Sequence, residues 1–370
     1  MTDIRHKDSQ EKYSSHPVVE QNAAGRNPTI DILRGIAIFT MVAANLSSSL
    51  LQADDKVLIF RLYGTFAAPL FVMLAGMMVV ITGVKHASFR HYLNRGLLIV
   101  FCGCLLDVLV WRIYPFLGCD VLYLTGLCIP VVYLLSKYCT IITRIIIVSL
   151  LVALTPVLQA LFNYREELTS LDISTLSFSN YLALLLSQST AQRFLLDGWF
   201  PVMPWLSFAV TGSVLGTLYL QGYSFVAKRF LATGIALFSV GVALWLALNP
   251  QLVIREGYSE LFYPSTTGYL FTATGLIFLG FYGVEATKQL VVHTVFLKLG
   301  HASLFMYLFH QLVLVFILQP IGFLNNQPLS MFILTYLAVI AMMIATGYIL
   351  VGIKKNHKNL PFIVRFIIGS

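Results

Sequence analysis

Arg34, Asn45 and His310 stand where an apolar sequence has little use for polar groups. The first two fall inside the run IDILRGIAIFTMVAANLSSSLL, Ile30 to Leu51, together with Asp31, and His310 sits in the middle of a later apolar run. A polar group in hydrocarbon costs on the order of 1–3 kcal/mol unless protein, water or a ligand answers it. On a helix, Arg34 and Asn45 are close to three turns apart, so both project from one face about 16 Å apart along the axis. A guanidinium in such a place holds phosphates or carboxylates. A carboxamide donates to a developing oxyanion or orients an acceptor, and an imidazole can act as base. Ser303, Tyr307 and His310 follow i, i+4, i+7 spacing, so they share a stripe on which Tyr307 could set the imidazole tautomer. Helix packing plus an interfacial anchor is the competing reading for Arg34 and Asn45.

The elements that position these groups follow from composition. The 370 residues are 58% apolar and 11% charged, far from the roughly 25% charge of soluble domains, and the mean hydropathy is +0.82. An all-α polytopic integral membrane protein is predicted, with about ten transmembrane helices at 30–51, 58–82, 96–115, 121–136, 145–162, 201–220, 230–248, 267–284, 302–320 and 331–352. The net charge of +8 does not read as nucleic-acid binding, because the basic residues cluster in short loops on alternate sides of the spans. With the N-terminus inside, 18 of the 24 Lys and Arg residues fall on the cytoplasmic side, so both termini are expected there. Residues 1–28 read as a disordered cytoplasmic tail, 29–353 as the membrane domain and 354–370 as a basic cytoplasmic tail. The tail carries no secretory signal pattern, and multi-pass residence in the plasma (inner) membrane is expected.

Between spans, Phe178 to Gln188 is too short to cross and suggests an interfacial or re-entrant helix, and 285–301 suggests a helix on the cytoplasmic surface. Lys85, Arg90, His91 and Arg95, beside Arg34, could form a cationic mouth for a polyanion or simply a topology-setting loop. Asp107 and Arg112, five residues apart and too far for ideal helical pairing, suggest structural salt bridges with Arg61 or a partner helix. Gly212-x-x-x-Gly216 suggests close helix packing, and Trp205 an outer interfacial anchor or a sugar-stacking ring. No HExxH, CxxC, P-loop or dinucleotide fingerprint occurs, and no metal is expected.

Three segments carry a resemblance. IDILRGIAIFTMVAAN (Ile30 to Asn45) resembles the first membrane helix of the transmembrane acyltransferase superfamily. Its acyltransferase-3 branch places a His where this chain has Asn45, and an Asn at that offset is similar to the heparan-α-glucosaminide N-acetyltransferase-like branch. FPVMPWLSFAVTGSVLG (Phe200 to Gly216) is similar to that branch's Pro-x-x-Pro-Trp helix, and GHASLFMYLFHQLVL (Gly300 to Leu314) to the superfamily's late Ser-Leu-x-x-Tyr-Leu-x-His segment. The resemblance spans roughly 29–350 and implies acyl transfer, usually acetyl from cytoplasmic acetyl-CoA, to a sugar hydroxyl or amine on the far side.

On that basis Arg34, Lys85, Arg90 and Arg95 would hold the CoA phosphates, Asn45 would stabilise the reacting carbonyl, and Trp205 and Tyr307 would meet the acceptor. The branch places an essential His in the loop after the first helix. Here that loop, Ser47 to Val57, has none, which leaves Asp54, His310 or a water as base, or an activity lost. The partners expected are acyl-CoA, a glycan or lipid-linked sugar, the bilayer and, for oligomeric state, a second copy in a homodimer. A secondary transporter or lipid-linked-sugar flippase is the alternative, although no symmetric halves are visible.

Overall fold

The computed structural model describes residues 27–51, 58–164, 173–174, 176–248, 261–324, 327–356 and 361–369. Helices dominate them, in the order α1 (Pro28–Leu50), α2 (Leu58–Thr65), α3 (Ala67–Gly83), α4 (Phe89–Leu106), α5 (Val121–Tyr138), α6 (Ile141–Leu161), α7 (Phe178–Leu185), α8 (Gln188–Gln192), α9 (Val202–Leu220), α10 (Lys228–Leu248), α11 (Thr267–Thr287), α12 (His293–Gly300), α13 (Ser303–Val313), α14 (Leu329–Asn356) and α15 (Phe362–Ile368). Among the described residues nine helices are long and apolar enough to cross a membrane. A tenth span results if α12 and α13 with its π-helical extension, bent by 87° between Gly300 and Ser303, count as one. The chain is a multi-pass integral membrane protein. The tail expected at 1–28 lies outside the described residues as far as residue 26, and so does Asp54.

Helix α1 is the hub. Asn27 caps it by accepting from the Thr29 N–H at 2.9 Å, with Pro28 in the first turn. It is largely buried, and α2, α3, α11, α12, α13 and α14 pack on it. Lipid offers no hydrophobic force between helices, so their approach depends on small residues. A Cβ at Gly35 would lie 1.9 Å from the Phe296 carbonyl oxygen, and one at Gly300 1.8 Å from that of Asp31. These two glycines bring α12 against α1 and set the bend. The segment expected to lie on the surface at 285–301 holds α12, an eight-residue helix that packs on α1 and meets α13 at the 87° bend.

Gly212 packs the same way, its Cβ position 1.9 Å from the Met73 carbonyl oxygen, so the Gly212-x-x-x-Gly216 face joins α9 to α3. Helices α6, α10 and α14 present mostly exposed apolar side chains at the periphery. Arg144, expected in a loop, is instead buried on α6, where it donates to Ser213 and Thr217 on α9 at 3.0 Å. Asp107, expected in a structural salt bridge, is buried at the start of a π-helical turn and accepts from the Tyr123 hydroxyl, while Arg112 is exposed at a left-handed φ of 54°. Five residues separate the two, which puts them on different faces of α4 and its extension.

The start of α1, the α12–α13 bend and the end of α14 share one end of the bundle. There Lys354 donates to the His301 carbonyl at 3.1 Å, and Gly300 meets Asp31. Helix α15 folds back beneath α13 at this same end. At the opposite end Leu51 pairs with Gln327. The first are called the basic end below.

Candidate active site

A cavity of about 1280 Å³ runs through the bundle and is lined by both Arg34 and Asn45. The eleven-residue spacing on a well-formed helix puts both on its wall. At the basic end Asp31, 2% exposed, holds Arg34 at 3.1 Å and His301 at 3.6 Å. A buried carboxylate shared in this way fixes the direction of the guanidinium without removing its remaining donors. Arg95, His86 and His91 line the same region, the two imidazoles stacked at 4.4 Å between centroids. Lys85 and Arg90 are exposed and off the wall. On α4, His91 and Arg95 are one turn apart and share a face that Arg90 does not. Sequence reasoning missed His301 and Arg365, both on the wall, the latter brought there by the return of α15.

Deeper in, the Asn45 Nδ2 lies 2.9 Å from His310 Nε2. His310 Nδ1 is 3.3 Å from the Met306 carbonyl, which can only accept, so the ring proton sits on Nδ1 and Nε2 accepts from Asn45. His310 is 3% exposed and absent from the wall; Asn45 stands between it and the cavity. The imidazole thus orients the carboxamide, whose second N–H and carbonyl are left for a ligand. Ser48 and Ser49 both donate to the backbone carbonyl of Asn45, at 3.0 and 2.9 Å, and both line the cavity one turn further on.

Tyr307, expected to meet the acceptor, does line the cavity, and its hydroxyl donates to Asp120 Oδ1 at 3.0 Å. Asp120 is a third wall residue that the sequence did not single out. It caps α5 by accepting from the Leu122 N–H at 3.0 Å. The residues before it are clipped in place by two backbone hydrogen bonds, Trp199 N–H to Gly118 O at 3.0 Å and Phe200 N–H to Cys119 O at 2.9 Å. Burial raises its carboxyl above the ordinary carboxylate range, with the Leu122 N–H and the Tyr307 hydroxyl pulling the other way. Gln311, 6% exposed and one turn beyond Tyr307, is also on the wall, and its Oε1 has no hydrogen-bond partner.

Trp111, Trp199, Phe200, Phe262 and Tyr263 complete this end of the cavity. Trp205 is not among them: it is fully buried, ring to ring with Phe200, Phe208 and Phe262. Among the described residues no group of three or more His, Cys, Asp or Glu is placed to hold a metal ion.

A family model described as heparan-alpha-glucosaminide N-acetyltransferase, catalytic, matches residues 26–234, more than half of the chain. The matched region contributes Arg34, Asn45, Arg95 and Asp120 to the cavity, while Tyr307, His301 and Arg365 come from beyond it. No curated protein matches the chain. The chain belongs to the heparan-alpha-glucosaminide N-acetyltransferase catalytic family.

Proposed function

We propose that this chain is an acyl-CoA-dependent membrane acetyltransferase. It takes acetyl-CoA at the basic end of its cavity, on the cytoplasmic face of the plasma (inner) membrane, and passes the acetyl group to a hydroxyl or amine of a glycan or lipid-linked sugar at the opposite end. The observation that carries this reading is one cavity with guanidinium and imidazole groups at one mouth and a carboxamide, a carboxylate and aromatic rings further in. Sites for drug-sized ligands occupy about 300–1,000 Å³. A volume of about 1280 Å³ has room for a long donor and part of an acceptor together.

The donor is a polyanion at one end and a neutral thioester at the other, which suits that gradient of polarity. Arg34, Arg95 and His91 would hold its phosphates through charge-assisted hydrogen bonds worth about 1.5–3 kcal/mol each. Asn45, fixed by His310, would direct its free N–H at the thioester oxygen as that oxygen becomes negative. The excess of Lys and Arg on the side of the basic end supports a cytoplasmic donor mouth.

The test is acetyl transfer by purified protein in lipid nanodiscs. Acetyl-labelled acetyl-CoA would be supplied with a glucosamine disaccharide and, separately, with its N-acetylated counterpart, which distinguishes amine from hydroxyl acceptors. Labelled sugar is expected, with the KM for acetyl-CoA raised about tenfold or more in Arg34→Ala. Absence of label in every acceptor, together with passage of sugar across sealed vesicles, would replace this reading with transport.

A further inference from the structure

Two carboxylates are on the described wall of the cavity, Asp31 and Asp120. Asp31 is committed to Arg34 and His301 at the donor mouth. Asp120 lies at the other end, deep among protein atoms yet with surface still open, because that surface faces the void. His310, the other basic group nearby, is behind the wall with its Nε2 already taken by Asn45. Asp120 keeps spare acceptor capacity: Leu122 N–H uses Oδ1 and the Tyr307 hydroxyl spans both oxygens, at 3.0 and 3.2 Å. An ionised carboxylate offers about four lone-pair sites, so Oδ2 can take a further hydrogen bond.

We infer that Asp120 is the general base of the transfer, with Tyr307 as its positioning residue; this rests on the acetyltransferase reading above. The acceptor's nitrogen or oxygen attacks the thioester carbonyl carbon as its proton passes to Asp120 Oδ2. The new C–N or C–O bond forms, and the carbonyl electron pair moves onto the oxygen held by Asn45. Collapse of that intermediate breaks the C–S bond, and the CoA sulfur leaves as thiolate and is protonated from Asp120 or water. Tyr307, on the helical stripe that also carries Gln311, keeps the carboxylate turned toward the cavity.

The experiment uses the full-length protein in nanodiscs, with acetyl-CoA and the glucosamine disaccharide as probes. Asp120→Asn preserves the shape and both inward hydrogen bonds, and it should lower kcat about 10²–10⁴-fold while affinity for labelled CoA stays at the wild-type value. Asp120→Ala should be similarly slow, and added formate should restore about tenfold or more of its rate without affecting the wild type. A purely structural carboxylate would give no such rescue. Tyr307→Phe, which leaves the carboxylate in place, should lower kcat about tenfold with little change in KM, and it serves if neither Asp120 variant retains CoA binding. Full-rate transfer by Asp120→Asn, or an unchanged kcat in Tyr307→Phe, overturns the assignment alone. Absence of transfer by the wild type overturns the acetyltransferase reading and the assignment with it.

Discussion

Replacing Asn45 with Ala separates two roles that the proposed reaction gives to adjacent groups. The carboxamide faces the cavity and donates to His310 Nε2 at 2.9 Å, while His310 is buried behind it. Its removal leaves Nε2 beside the cavity, where water can reach it, so the stability cost should be near the low end for a lost hydrogen bond, about 1 kcal/mol. The catalytic cost should be larger. Loss of a donor aimed at a developing oxyanion costs about 10²–10³ in kcat, or about 2.7–4 kcal/mol.

His310→Ala keeps the carboxamide but releases it, so kcat should fall about tenfold, equivalent to about 1.4 kcal/mol. Because the imidazole acts through the amide, the double variant should be no slower than Asn45→Ala. The coupling between the two is then of the order of 1 kcal/mol or more. The assay is kcat for acetyl transfer in nanodiscs, with thermal melts on the same samples. Multiplicative losses, or a His310→Ala variant slower than Asn45→Ala, would refute this division of labour and put the imidazole at the reacting atoms.

Other substitutions probe the mouth and the bend. Arg95→Ala should raise the KM for acetyl-CoA about tenfold or more, whereas Lys85→Ala and Arg90→Ala, whose side chains are off the wall, should leave it at the wild-type value; the opposite ranking would mean that the donor approaches over the surface loop. Gly300→Ala puts a Cβ 1.8 Å from the Asp31 carbonyl oxygen, against the 3.0 Å below which backbone must move. It should destabilise the protein by about 1–3 kcal/mol and weaken donor binding through Asp31 and Arg34, and an unchanged melting temperature with unchanged KM would show that α12 is free to slide.

Much of this architecture could be read from the chain. Apolar runs give the spans, and an eleven-residue spacing in a helix that starts at a capped Pro puts Arg34 and Asn45 on one wall. The bend at Gly300 was not legible, because hydropathy averages over a window and does not register two glycines that let a half-helix lie on backbone. Nor was the division between Tyr307 and His310. They share a stripe in a coarse i, i+4, i+7 count, but three residues advance the helix by about 300°. Tyr307, with Gln311, therefore meets the cavity while His310 meets Asn45. Asp120 looked like loop. Its one local signal is an Asp immediately before a helix, and only the backbone clip between 118–119 and 199–200 turns it toward the site. Trp205 draws notice in the sequence by its place beside Pro204, although a tryptophan inside a helix that packs on α3 and α5 is a core residue.

The most direct measurement is a cryo-EM reconstruction of the protein in nanodiscs with CoA. The phosphates should lie against Arg34 and Arg95 at the basic end, with the pantetheine running inward so that its sulfur ends beside Asn45. CoA bound elsewhere, or bound with its sulfur remote from Asn45, would contradict a transfer reaction through this cavity.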